Sequence, residues 1–140
     1  RGLAYYIRAT NEFFHETGYL AASAGLNLGK IDEAVKVILD EFEKVKNGDI
    51  KEPELKKAKE FLKGRRSLGL EDSQSLAEWY GYKELLEGKI ETPDEATEKI
   101  DKVTLKDIER VAGRVILSQK ANLAIIGPYK ETQRFEKLLG

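Results

Sequence analysis

The sequence predicts an α+β domain, in which a small sheet is covered on one face by five to six helices. Two observations lead to this fold class. Residues up to Gly25 are rich in aromatic, β-branched and small side chains, whereas most later residues place apolar side chains at helical spacing. A further apolar run, Ala121–Ile126, predicts a third strand. The predicted order, β-β-α-α-α-α-α-β-α, is typical of a two-layer domain with an antiparallel or mixed sheet.

The first two strands are predicted over Arg1–Thr10 and Thr17–Gly25, joined by Asn11–Glu16. Alternation along the first strand places four side chains on one face: Leu3, Tyr5, Ile7 and Ala9. The second strand carries small side chains on both faces, which favours close approach by the helices that follow. Three strands are few for so many helices, so we expect further strands from a missing part of the chain or from a partner.

Six helices are predicted from apolar residues that recur at three- and four-residue spacing. Their bounds are Lys30–Lys46, Pro53–Leu70, Ser73–Leu86, Pro93–Lys102, Thr104–Val115 and Glu131–Leu139. The first follows a predicted loop, Gly25–Gly29, and ends at Asn47-Gly48-Asp49, where the residue types tolerate left-handed backbone. The second starts at Pro53, because proline fits the first turn of a helix.

The later helices have their own start signals, and together the helices predict a core. Asp72 or Ser73 caps the third helix, while Thr92 and Glu95 form the pattern of a capping box at the fourth. The inward-facing positions predict eight side chains buried against the sheet: Val35, Ile38, Leu39, Phe42, Phe61, Leu62, Ile108 and Val111.

Composition excludes several classes of function. The 140 residues predict one domain, spanning 1–140, with a substantial core. The 24 basic and 25 acidic residues nearly cancel, which argues against a nucleic-acid partner. The absence of cysteine excludes disulfides and thiolate metal sites. No apolar run reaches the roughly 18 residues of a membrane span. We therefore expect a soluble protein, with cytoplasm and periplasm both left open.

Residues that carry chemistry are few. His15 is the only histidine and lies in the predicted hairpin loop, so an H-x-x-E-H or H-E-x-x-H zinc motif cannot form. The sequence contains no nucleophile elbow, no phosphate-binding glycine loop and no marked pair of carboxylates. We therefore predict no catalytic residue, no metal ligand and no cofactor in this chain.

One basic cluster, Lys56–Arg66, has two interpretations. As a binding patch it would attract an anionic ligand or nucleic acid. As a structural feature it is the solvated face of a helix, with acidic residues interleaved, and the balanced net charge favours this interpretation. Aromatic residues that could include a stacking platform, but more simply form the core, are Tyr5, Tyr6, Phe13, Phe14, Tyr19, Trp79, Tyr80 and Tyr82.

A series of short motifs, taken in order, resembles the second, C-terminal domain of the pitrilysin/insulinase family of zinc metallopeptidases, which includes the mitochondrial processing peptidases. The motifs are Arg1-Gly2-Leu3-Ala4-Tyr5, Gly18-Tyr19, Ala24-Gly25, Glu54–Lys59, Leu62-Lys63-Gly64, Leu70–Ser73, Leu76-Ala77, Ile100–Ile108, Val111-Ala112 and Leu123–Pro128. Each is short, but their order and spacing cover essentially the whole chain.

The resemblance implies a half-clamshell domain, with the peptidase-like fold of this family, that helps to enclose and position an unfolded peptide. Zinc is then expected in another domain of the parent protein or a partner chain, where H-x-x-E-H supplies ligands and the base that activates water. This chain would be the non-catalytic domain, inactive alone, of a zinc-dependent endopeptidase. Tyr5 matches the tyrosine of an R-x-x-x-x-x-x-Y pair that holds the substrate backbone, while the arginine position falls ahead of Arg1.

Alternatives remain open at this point. Tyr5 is equally well explained as a strand residue packed under a helix. The chain could instead be a structural or assembly subunit of the same family, or an unrelated α+β module that binds a small ligand or nucleic acid. Because the sequence starts with an arginine inside a predicted strand and contains no methionine, we expect an excised piece of a longer chain that tends to form a homo-oligomer.

Overall fold

The computed structural model describes residues 2–139, and the predicted start of the first strand at Arg1 lies outside them. Two strands and six α-helices follow in this order: β1 Ala4–Phe13, β2 Gly18–Leu26, α1 Ile31–Lys46, α2 Glu52–Gly69, α3 Ser73–Tyr82, α4 Pro93–Lys102, α5 Leu105–Val115 and α6 Gln133–Leu139. The α+β class is confirmed.

The chain divides into two compact units, Arg1–Asp49 with Glu109–Gly140, and Ile50–Ile108. The single-domain assignment stays a prediction.

The sheet of the first unit is an antiparallel hairpin of β1 and β2. The paired residues run from Phe13 and Gly18 near the turn to Ala4 and Leu26 at the open end. Both strands extend further along the chain than predicted, and Leu28–Lys30 is a short 3-10 helix where a loop was expected. At Gly18 a side chain would clash, because its Cβ would lie 2.6 Å from the Glu12 carbonyl oxygen.

The predicted third strand, Ala121–Ile126, is wrong. Among residues 2–139 the sheet has two strands, and this segment pairs with neither of them. Ile125 packs against the core of the first unit, whereas Ile126 is fully exposed. An apolar run becomes a strand only where a ladder partner satisfies its backbone, and no such partner lies beside these residues in the described part of the chain.

The core of the first unit joins α1 to α6. Ile31, Val35 and Phe135 are buried together, and Leu26 of β2 packs against them. The rings of Tyr129 and Phe135 meet edge to face, with centroids 5.2 Å apart. Residues that complete this cluster while remaining partly accessible are Leu39, Ile125, Tyr129 and Leu138. The base of the hairpin is therefore anchored by apolar contacts with the helices.

Polar contacts hold the same elements together. The Arg134 guanidinium donates from Nε to both carboxylate oxygens of Asp32, at 3.0 and 2.9 Å, and so ties α6 to the first turn of α1. The Tyr129 hydroxyl donates to the Leu28 carbonyl at 3.1 Å. The second guanidinium nitrogen, Nη2, lies 2.8 Å from Asp32 Oδ2, so Arg134 contacts the carboxylate through two nitrogens, and this paired geometry orients α6.

The second unit contains α2, α3 and α4, with α2 packed against α4. The predicted capping box is confirmed: the Glu95 amide donates to the Thr92 hydroxyl at 3.2 Å, and the Thr92 amide donates to the Glu95 carboxylate at 2.8 Å. The third helix differs from its prediction, since α3 ends at Tyr82 and Lys83–Glu87 forms a π-helical turn. Gly88 ends this π-helical turn in the left-handed backbone conformation, at φ 62°.

The predicted core is correct only in part. Val35 is buried, whereas four of the residues are half-buried: Ile38, Leu39, Phe42 and Ile108. The burial prediction is wrong for Phe61, Leu62 and Val111, which are 63%, 51% and 48% exposed. Apolar periodicity identifies the face of a helix that favours burial, but burial itself needs a second element packed on that face.

Candidate functional site

The hairpin carries a large exposed apolar surface. Seven side chains on it are at least two-fifths exposed, and we call them the hairpin surface: Tyr5, Tyr6, Ile7, Phe13, Phe14, Tyr19 and Leu20. Single exposed apolar residues are ordinary, but seven on one hairpin make it the candidate interaction site of the described residues. Most of these aromatic residues were expected in the core, and that expectation is wrong.

Tyr5, the one substrate-binding residue that the sequence singles out, lies at an irregularity in β1. Ala4 pairs with Leu26 while Tyr6 pairs with the preceding Gly25, so Tyr5 is the extra residue of a β-bulge. A bulge interrupts alternation and redirects the side chain at that point. Tyr5 is 81% exposed, which does not fit a residue packed under a helix.

The neighbour of Tyr5 packs across the strands. A Cβ at Gly25 would lie 2.5 Å from the ring of Tyr6, so the aromatic ring lies against the glycine backbone. Gly25 therefore leaves the space that the Tyr6 ring occupies beside the bulge. The sequence contains both residues, but only the register shows that they pair.

The other candidate positions form no metal site. His15 lies in the exposed turn of the hairpin. Among residues 2–139, no group of three histidine, cysteine, aspartate or glutamate side chains is arranged to hold a metal ion. The side chains in this part of the chain therefore do not fit a zinc site, and we assign no zinc-dependent step to them.

We expect the purified chain to retain no stoichiometric zinc through dialysis and to cleave no unfolded peptide. The reason is the donor set, since one histidine without cysteine cannot supply the three protein ligands of a catalytic zinc site. Metal analysis of the dialysed protein, together with a peptide cleavage assay with and without chelator, tests this. Tight zinc with chelator-sensitive cleavage would contradict it.

The basic cluster on α2 is engaged in contacts within the second unit. Lys63 forms ion pairs with Glu60 at 2.7 Å and with Asp101 of α4 at 3.0 Å. The hydrogen bonds that the Lys63 ammonium donates to Glu60 and to Asp101 raise the pKa of Lys63. The Lys59 ammonium donates to the Asp101 carbonyl at 2.8 Å, and the Arg66 guanidinium lies 5.3 Å from the centre of the Trp79 ring. These contacts support the structural interpretation of the cluster.

A buried carboxylate, Glu91, lies at the centre of a second ionic group. It forms ion pairs with Lys99 and with Lys83, the latter at 2.9 Å, and the Trp79 indole donates to its backbone carbonyl at 2.7 Å. The hydrogen bond that Lys99 donates is the largest cause that lowers the pKa of Glu91, and the hydrogen bond from Lys83 is the second. The pKa of Glu91 is lowered to about 2. A general base works best with a pKa near the working pH, so Glu91 is suited to stabilising the second unit rather than to catalysis.

A family model described as the peptidase M16 inactive domain matches residues 1–62. The chain is 32% identical over 133 residues to an uncharacterized zinc protease of Streptomyces coelicolor, covering 95% of this chain and 29% of that protein. It is 31% identical over 93 residues to the mitochondrial-processing peptidase subunit beta of Saccharomyces cerevisiae, covering 66% of this chain and 20% of that protein.

A solved structure has a similar fold. The crystal structure of a conserved protein from Enterococcus faecalis V583 superposes with a TM-score of 0.67 at 28% identity, covering 80% of this chain and 26% of that chain. This chain therefore spans less than a third of the length of each of these proteins. In residues 2–139, no helix combines the length and the apolar character needed to cross a bilayer.

Proposed function

This chain belongs to the M16 peptidase family and corresponds to its inactive domain, and on that premise we propose that it helps to enclose and position an unfolded peptide. Hydrolysis would take place at a zinc-bearing domain elsewhere in the parent protein or in a partner chain. The role of this domain would then be to bind and orient the substrate backbone, since correct placement of the scissile bond lowers the barrier to reaction.

One observation carries the proposal: the exposure of Tyr5 at the bulge of β1. A phenol hydroxyl both donates and accepts, so it can bond the carbonyl or the amide of an extended peptide. The exposed apolar side chains beside it supply a surface for the peptide's own apolar residues. In this arrangement Tyr5 contacts the substrate, and the rest of the hairpin surface shields it from water.

We expect Tyr5→Phe to weaken the binding of an unstructured peptide to this chain about three- to tenfold, because one hydrogen bond contributes about 0.5–1.5 kcal/mol. Stability should stay unchanged, since the Tyr5 side chain is exposed. Fluorescence anisotropy of a labelled peptide measures the first quantity and urea unfolding the second. Tyr82→Phe is the matched control, because Tyr82 is also exposed but lies on α3 in the second unit.

Two results would contradict the proposal. If Tyr5→Phe leaves peptide binding unchanged but lowers the urea midpoint, Tyr5 is a packing residue. If the unaltered chain binds no unfolded peptide, the domain has an architectural role, and the structural-subunit alternative accounts for it.

A further inference from the structure

One edge of β1 is open. Among residues 2–139 the sheet consists of β1 and β2 alone, so the side of β1 that faces away from β2 has no neighbouring strand. All β1 residues are exposed except Thr10, which is half-buried. An open edge of ten residues presents unpaired amides and carbonyls, and such an edge is readily completed by another strand.

The hairpin register identifies the backbone groups at this edge. The Phe14 amide donates to the Thr17 carbonyl at 2.8 Å, which makes these two residues a hydrogen-bonded pair at the turn. Hydrogen-bonded and non-hydrogen-bonded pairs alternate along an antiparallel ladder. From Phe13 paired with Gly18 to Ile7 paired with Ala24 the register is continuous. The amides and carbonyls that point to the open edge therefore belong to Ile7, Ala9, Asn11 and Phe13.

We propose that this edge pairs with β1 of a second copy of the chain, antiparallel and centred on Thr10. A twofold axis through the Thr10 pair places Arg8 opposite Glu12 of the second copy, and Glu12 opposite its Arg8. It also places Ile7 opposite Phe13, so that apolar side chains meet on the other face of the ladder. The two hairpins then form one continuous four-stranded sheet.

Charge selects this register over its neighbours. Two copies can pair symmetrically only when the twofold axis passes through a residue. An axis between two residues would place each residue whose amide and carbonyl face the edge opposite a residue whose amide and carbonyl are bonded to β2. An axis through Arg8 or Glu12 opposes like charges, which is destabilising. An axis through Ala9 or Asn11 leaves both charged side chains opposite neutral ones. The axis through Thr10 is the one that opposes Arg8 and Glu12 twice.

Charge reversal tests the pairing. We expect the chain to dimerise in sedimentation equilibrium and Arg8→Glu or Glu12→Arg alone to weaken association on the order of tenfold, because two attractive pairs become repulsive. The double variant Arg8→Glu/Glu12→Arg should associate like the unaltered chain. A mixture of the two single variants should form a heterodimer, since each again meets opposite charge. Restoration in the double variant and the mixture separates a lost pairing from a lost fold.

Cross-linking tests the axis itself. The chain contains no cysteine, so a single introduced thiol reports on one position. Thr10→Cys places two thiols on the axis in a non-hydrogen-bonded pair, with Cα atoms about 4.5 Å apart, within disulfide range. We expect it to form a disulfide dimer about ten times faster than Asn11→Cys, whose thiols lie off the axis on diagonal positions.

Three results would overturn the inference. They are a monomer at every soluble concentration, a dimer insensitive to both charge reversals, and equal cross-linking rates for the two cysteine variants. Association that requires added unfolded peptide would assign the edge to a peptide and would also overturn it. Tyr5 lies outside the paired segment, so Tyr5→Phe should leave the dimer intact, and the two proposals can fail separately.

Discussion

Phe135→Ala should lower the free energy of unfolding by about 3–5 kcal/mol, which is a large part of the roughly 5–15 kcal/mol available to a domain. Phe135 is buried against Ile31 and Val35, and its ring meets Tyr129 edge to face. Truncation leaves a cavity in a small core that has few other side chains to collapse into it. Urea unfolding followed by circular dichroism measures the effect.

Phe61→Ala is the matched control. The same atoms are removed, but Phe61 is 63% exposed on α2, so the expected cost is below about 1 kcal/mol. Equal losses for the two variants would show that Phe61 is packed as the apolar periodicity of α2 predicts. A loss at Phe61 alone would show that the cluster around Phe135 does not stabilise the fold.

Glu91→Gln should destabilise the second unit at neutral pH. The change removes the charge that pairs with Lys83 and Lys99, and it leaves two ammonium groups beside a neutral amide. Because the pKa of Glu91 is lowered from 4.5 to about 2 in the folded chain, its contribution is fully present above about 4.5. That contribution is lost as the pH falls through about 2, where the carboxylate of the folded chain takes up the proton that the unfolded chain already holds.

The measurement is the difference in unfolding free energy between the original chain and the variant, followed from pH 7 to pH 2. We expect the difference to be largest at neutral pH and to vanish near pH 2, which separates Glu91 from other titrating groups that both proteins share. Glu98→Gln is the control, because Glu98 pairs with Lys102 at 3.8 Å on the exposed surface of α4. A difference that does not change with pH would contradict the role assigned to the ion pairs.

The family and the positions of the helices could be predicted from residue order alone. The resemblance to the pitrilysin/insulinase peptidases is confirmed, as is the α+β class. The fourth helix is correct at both ends because its signals are local: Thr92 and Glu95 bond each other's backbone across one turn. The ion pairs of Glu91 could not be predicted from a local pattern. Lys83, Glu91 and Lys99 meet only when α4 folds back beside the π-helical turn.

Residue order alone specified where most helices begin, which helix faces are apolar, and that one histidine without cysteine supplies no zinc ligand set. Tertiary structure alone decided which of those faces are covered. Ala121–Ile126 has the composition of a strand but pairs with neither β1 nor β2, and Phe61 has helical spacing but remains exposed. The tertiary structure also placed Tyr5 at a bulge of β1. The physical reason is that propensity and periodicity act within a few residues, whereas burial and strand pairing depend on a second element that is distant in the chain.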